Sequence, residues 1–259
     1  MKKIINLFKS IAVAFSIYSK IPMPPFKWDS DDMKYHMIFF PFVGIVIGFI
    51  EALWFYIAKS IGMGNIATTM IAIVLVIFIT GGLHIDGFMD TMDALNSYGD
   101  RNKKLEILKD PHIGAFSVIS LAGYILLYIA VLSEIKDFKL YIIWCLSFIA
   151  SRCSVGIACM KIEKAKPEGM LNSETDNSSK AVVPWLIAEL VITTIIMFIM
   201  SWKAALFVAI AEIDLYIFFA SIVRKEFGGI SGDTAGFYNC IFELIAALSL
   251  WIVGWIGLV

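Results

Sequence analysis

Charge and cysteine are both scarce in this chain of 259 residues. Asp, Glu, Lys and Arg make up 17% of it, the formal net charge is −1, and the four cysteines form no C-x-x-C pair. Each shortage excludes something. With a net charge this close to zero, the chain lacks the overall basic excess of a nucleic-acid binder, so no nucleic-acid partner is expected. Cys145, Cys153, Cys159 and Cys240 all fall inside apolar runs, which argues against a zinc site or a disulfide framework and leaves them as small packing residues. No repeat of fixed period is present, and no polar stretch is long enough to fold as a soluble domain, so residues 1–259 read as one domain. The segment before Pro22 lacks the unbroken apolar run and small-residue cleavage site of a secretory signal.

What is abundant is apolar side chain. Hydrophobic residues make up 59% of the sequence and the mean hydropathy is +0.83, against roughly 45–50% apolar residues in soluble proteins. A helix needs about 20 mainly apolar residues to cross the hydrocarbon. Seven stretches qualify: 37–58, 66–83, 114–132, 138–160, 181–202, 204–223 and 236–258. Runs such as Ile71 to Ile79 are continuously apolar rather than alternating, which excludes a β-barrel. The expected fold is therefore an all-α polytopic membrane bundle of about seven transmembrane helices. At the amino terminus, Asn6 and Lys9 interrupt the apolar run while Ile5, Phe8, Ala12 and Phe15 share a helical face, so that helix is expected to lie in the membrane interface. An eighth crossing there is the alternative, and it would move the terminus to the other side.

Alternating the seven spans puts sixteen of the 21 Lys and Arg residues on one side and only Lys59, Lys136, Lys139 and Lys203 on the other, with Arg152 inside a span. Cytoplasmic loops carry the basic excess. Loops 84–113, 161–180 and 224–235 are thus expected at the cytoplasmic face of the cell's inner membrane.

The segment G81-G-L-H-I-D-G-F-M-D-T-M-D93 places three carboxylates where a span leaves the bilayer. In a helix turning about 100° per residue, Asp86, Asp90 and Asp93 fall within an arc of roughly 60°. Their repulsion is costly unless a cation sits between them, and Mg²⁺ takes oxygen ligands that it shares with substrate phosphates. A solvated helix face is the plainer alternative. Downstream, Arg101, Lys104 and His112 are candidates for phosphate contact, Arg101 foremost because guanidinium binds phosphate in a bidentate fashion. For loop lysines, the positive-inside bias alone is sufficient explanation. His84 lies off the acidic face if the helix already includes it, and suits a capping or supporting contact as well as a substrate contact. A second polar segment, G228-G-I-S-G-D-T-A-G236, follows the sixth span on the same side. Its Asp233 either joins the metal site or caps the last helix.

Charges inside the spans form a third cluster. At a rise of about 1.5 Å per residue, Glu243 lies roughly 10 Å from the cytoplasmic end, Arg152 and Glu189 roughly 12 Å, and Asp214 roughly 14 Å. A common depth predicts a basin below the aspartates, with Arg152 paired to Glu243 or Asp214; a bridge that only orders the helices is the alternative. Glu51 and Glu212 lie deeper and receive no role.

With these residues in view, the chain resembles the cobalamin synthase family, the adenosylcobinamide-GDP ribazoletransferases, over nearly its whole length. The resemblance rests on Ser19-Lys-Ile-Pro-Met-Pro24, the Gly81 to Leu95 segment, Arg101 followed by L105-E-I-L-K-D-P-H-I-G114, Pro167-Glu-Gly-Met170, and Gly228 to Gly236 with Glu243. Bulky Phe88, Met89 and Met92, the Pro111-His112 pair and the Phe237-Tyr238 pair depart from the family's usual residues. The resemblance implies that α-ribazole or its 5'-phosphate is joined to adenosylcobinamide-GDP with Mg²⁺, giving adenosylcobalamin or its phosphate and releasing GMP. On that reading Asp86, Asp90 and Asp233 hold Mg²⁺, Asp93 is the base, Arg101 and Lys104 stabilise the leaving GMP, and Arg152, Glu243 and His84 shape the substrate pocket. The bilayer is the one other partner expected, and the sequence leaves room for an oligomer. Two rivals fit less well. A CDP-alcohol phosphatidyltransferase carries an Ala-Arg after its second acid and a later D-x-x-x-D, which are missing here, and an ion-coupled transporter predicts broken spans in two matching halves.

Overall fold

The computed structural model describes residues 2–25, 30–166 and 169–258. Lys27 and the Pro167-Glu168 pair lie outside the described residues. The described chain is helical, in the order α1 (Lys2–Tyr18), α2 (Ser30–Met33), α3 (Phe40–Ser60), α4 (Asn65–Thr80), α5 (Leu83–Asn96), α6 (Arg101–Ile107), α7 (Ala115–Leu132), α8 (Phe138–Lys161), α9 (Met170–Asp176), α10 (Val182–Met200), α11 (Trp202–Ile222) and α12 (Gly232–Trp255). Among the described residues, α3 with the turn before it, α7, α8, α10, α11 with the turn after it, and α12 are long and apolar enough to cross a membrane, and the apolar α4, from whose end α5 bends away, brings the number to as many as seven. The chain is a multi-pass membrane protein of the helical-bundle class.

α8 is the central post. Trp144, Phe148 and Arg152 are fully buried on it, and its polar Ser147 and Ser151 each donate back to the carbonyl three residues earlier, at 2.7 and 3.1 Å. A helix with this much polar side chain is costly in lipid and is stable only when other helices surround it. α3 packs against α8 through Gly44 and Gly48, where a β-carbon would overlap the backbone carbonyls of Phe148 and Cys145. Small residues four apart let two membrane helices bring their backbones into contact, where dispersion replaces the missing hydrophobic drive. α7, α10 and α11 turn Leu126, Ile192, Ile199 and Ile213 outward, as expected for lipid-facing helices.

The bend that positions the site lies at Gly81-Gly82. Both glycines are left-handed, with φ of 65° and 78°, a conformation that residues with a β-carbon avoid. Gly82 N donates to Ile77 O at 2.9 Å and Gly81 N to Phe78 O at 3.2 Å, closing the end of α4. The chain then turns by 96° into α5. α5 therefore leaves the spanning direction and lies at the membrane face, outside the spanning segments.

α1 packs beside the start of α3. Ser10 Oγ donates to Asp32 O at 2.8 Å and the Tyr18 ring packs on Phe40 with centroids 4.1 Å apart, so the second half of α1 touches α2 and the first turn of α3. Lys20 N donates to Ile79 O at 2.8 Å, tying the Ser19-Lys20 motif to the α4 end. The loops of this face also interlock. Ala165 N donates to Ile230 O at 2.9 Å, Ile230 N to Glu163 O at 2.7 Å, and Ser179 N to Lys34 O at 2.9 Å. Lys59, Lys136, Lys139 and Lys203 sit at the turns of the other end, as the alternation of spans requires.

Candidate active site

α5 presents two faces. His84, Gly87, Phe88, Thr91 and Ala94 are buried, while Asp86 is exposed and Asp90 and Asp93 are half-buried. The buried face meets α12 at a close crossing. A β-carbon on Gly87 would lie 2.7 Å from Asp233 O, and one on Gly236 would lie 3.1 Å from His84 O. These two glycines bring two segments, separated by more than a hundred positions in the sequence, into one wall. Phe88 stacks on Phe237 with centroids 5.8 Å apart, so two of the bulky departures from the family pattern compensate each other.

Asp233 is free to serve that wall. The cap of α12 is Ser231, whose Oγ accepts from Thr234 N at 3.2 Å while Thr234 Oγ1 accepts from Ser231 N at 2.8 Å. The capping role considered for Asp233 therefore falls to its neighbour. Asp86 and Asp233 both line a cavity of about 380 Å³ that also touches α1, α3, α8 and α9. Asp90 and Asp93 do not line it. Burial, and then the charges of Asp86, Asp233 and Asp93, push the Asp90 carboxyl up to about 6. The four acids thus form one field of negative charge. Asp93 lies against Gly114 at the start of α7, where a β-carbon would meet its carboxylate.

The basic residues do not all go where the sequence suggests. Arg101 lies against Gly228, where a β-carbon would overlap the guanidinium, and its Nε donates to Phe227 O at 3.0 Å. Lys104 is paired with Glu226. His112 is exposed; its backbone N donates to Asp110 Oδ1 at 3.0 Å and its Nδ1 meets the same oxygen at 2.6 Å, and these two contacts, the backbone one first, hold the Asp110 carboxyl below its usual value. These contacts pin the α6 region to the glycine turn before α12. The lysines that line the cavity are Lys109 and Lys166, which the sequence did not distinguish from other loop lysines. Burial, and then the nearby charge of Lys109, hold Lys166 below the usual lysine value, while Asp233 acts in the opposite sense. Lys166 Nζ also donates to Leu105 O at 3.0 Å.

Deeper in the bundle, Arg152 Nη1 donates to Glu243 Oε1 at 2.9 Å and to Phe148 O at 2.9 Å, and Asn239 Nδ2 donates to the same Glu243 oxygen at 2.9 Å. His84 lines both the large cavity and a small one of about 20 Å³ that reaches Glu243, and its Nε2 has no hydrogen-bond partner among the described residues. The single basin expected for the intramembrane charges does not form. Asp214 is exposed on α11, and Glu189 is half-buried on α10 with Oε2 unpartnered. Equal depth brought those residues into one layer but not onto one face.

Among the described residues, no three His, Cys, Asp or Glu side chains are arranged to enclose an ion by themselves. Mg²⁺ does not need that, because it is commonly held by one or two carboxylates, substrate phosphates and water. By donor chemistry, the all-oxygen pair Asp86 and Asp233 beside Lys109 and Lys166 fits a divalent ion on a phosphate.

The fold and the site thus define a polytopic membrane bundle with an acid-bearing cavity at the loop end that gathers α5, α9 and the start of α12. The family model described as cobalamin-5-phosphate synthase matches residues 10–251, and the chain belongs to that family. Adenosylcobinamide-GDP ribazoletransferase of Lachnoclostridium phytofermentans is 36% identical over 242 residues, covering 93% of this chain and 92% of that one. Enzymes of the same description from Clostridium perfringens SM101 (32% over 251 residues, 95% and 98% covered) and Desulforamulus reducens (29% over 247 residues, 95% and 96%) are similar to it over comparable lengths. No solved structure matches.

Proposed function

We propose that the chain joins α-ribazole, or its 5'-phosphate, to adenosylcobinamide-GDP and releases GMP at the cytoplasmic face. The observation carrying this reading is that Asp86 and Asp233, from separate motifs, face one cavity beside Lys109 and Lys166. The family and its ribazoletransferase members support the substrates, and the basic excess on the site's side supports the orientation.

Asp86 and Asp233 would hold Mg²⁺ on the diphosphate. When bound, the ion neutralises charge on the phosphate oxygens. Lys109 and Lys166 receive the phosphate oxygens that gain charge as the bond to GMP breaks. A ribose hydroxyl oxygen of α-ribazole attacks the phosphorus that carries the cobinamide, the bond from that phosphorus to the GMP oxygen breaks, and the hydroxyl proton passes to a carboxylate. Asp90, pushed up to about 6, stands beside Asp86 and Asp233 but outside the cavity wall, so it would take that proton through a water rather than directly, while Asp93 is set against the start of α7. Arg101 and Lys104 hold the α12 turn in place, and Arg152 with Glu243 fixes the helices beneath. The test is GMP release by purified protein in lipid nanodiscs supplied with adenosylcobinamide-GDP, α-ribazole and Mg²⁺. Release with a new corrinoid product is expected, and no release under any Mg²⁺ concentration would overturn the reading.

A further inference from the structure

We propose that the Glu174 carboxylate reads the guanine base of the nucleotide that leaves, a reading that rests on the proposed reaction and names the base-recognition part of its site. Glu174 lies on α9, is only 5% exposed, and lines the same cavity as Asp86 and Asp233. The Tyr18 hydroxyl donates to its Oε2 at 2.9 Å, while Oε1 accepts no hydrogen bond among the described residues. Burial raises this carboxyl, and Tyr18 and Lys164 act against that rise. The second oxygen is not sealed in the protein but open to the cavity, where the donors of a ligand can reach it.

The surrounding wall selects the shape of that ligand. Ile17, Met37 and Leu171 line the same cavity as Glu174 and give it the apolar wall on which a flat ring can pack. Guanine presents N1–H and an N2 amino hydrogen side by side in one plane, which match the two acceptors of a carboxylate. Adenine has an acceptor at N1, and the substituted benzimidazole of α-ribazole carries no N–H. The corrinoid has amide donors, but its macrocycle is far larger than a cavity of about 380 Å³. The stretch that supplies Glu174 also supplies Lys166, and Asn172 Nδ2 donates to Lys166 O at 2.8 Å, so base and phosphate contacts are built on one segment.

The experiment is equilibrium binding of GMP, IMP, XMP and AMP, with Mg²⁺, to full-length protein in nanodiscs, for the wild type, Glu174→Gln and Tyr18→Phe. Bidentate base contacts of this kind discriminate by about 1–3 kcal/mol, or roughly 5- to 150-fold. The wild type is expected to prefer GMP over XMP and AMP by that order, with IMP between. An amide offers one acceptor and one donor, so Glu174→Gln is expected to lose GMP affinity and gain XMP affinity. Tyr18→Phe is expected to weaken binding while keeping the wild-type order. A purely structural Glu174 would lower all four ligands alike in Glu174→Gln, and that result overturns the proposal. So does a wild type that binds XMP as well as GMP, whatever the variants do. GMP release from adenosylcobinamide-GDP, run in parallel, separates the two readings. Turnover without a Glu174-dependent base preference removes this assignment alone, and a base preference without turnover removes the reaction alone.

Discussion

Gly87 and Gly236 decide whether the two acid motifs form one site. A β-carbon at Gly87 would sit 2.7 Å from the Asp233 carbonyl, a backbone atom that cannot swing aside. Gly87→Ala is therefore expected to part α5 from α12 and lower GMP release by at least tenfold with little loss of membrane-inserted protein, whereas the exposed Gly64→Ala should change neither. The buried Arg152–Glu243 pair is a matter of stability. Removing one partner of such a pair typically costs about 3–5 kcal/mol, so Glu243→Ala should lower the thermal midpoint in detergent strongly. A normal midpoint would assign the pair to substrate contact instead. Asp90 predicts a pH profile. A proton acceptor works only when ionised, and its carboxyl lies near 6 rather than in the ordinary aspartate range. Turnover should fall as pH drops through that region, because the protonated carboxyl cannot accept the hydroxyl proton. A profile flat from pH 7 to 5 would exclude the role.

At the scale of elements, the Gly81-Gly82 bend places the aspartates, and α5 works as a shelf at the end of α4. The acidic face was legible because it follows helical spacing, and so were the spans, since long apolar runs have no other solution in a bilayer. Hydropathy alone does not set the 96° turn, although two adjacent glycines at the end of an apolar run are its signature. The G44-I-V-I-G48 contact with α8 could likewise have been found from its small-x-x-x-small spacing. Gly44→Leu is expected to separate α3 from α8 and reduce the folded fraction, as measured by protease resistance in membranes. The failure at the layer of Arg152, Glu189 and Asp214 has a plain cause. Depth follows from counting residues along one helix, whereas the face presented to a neighbour depends on packing among several. Lys109 and Lys166 were missed for the same reason, because their sequence surroundings match those of lysines that merely obey the positive-inside bias.

For the whole molecule, the six long apolar helices and α4 alternate so as to put loops 84–113, 161–180 and 224–235 together at one end. Their basic content predicts the cytoplasmic side. Cysteines introduced at Ser97 and Ser178 should react with an impermeant reagent only from that side, and labelling from outside would reverse the orientation. The account turns on one site shared by two distant motifs, and Mn²⁺ binding in the presence of GDP, followed by electron paramagnetic resonance, tests it most directly. The wild-type protein is expected to hold the ion with GDP, and Asp86→Asn and Asp233→Asn should each release it while the fold persists. Binding that survives in either variant would contradict the shared site.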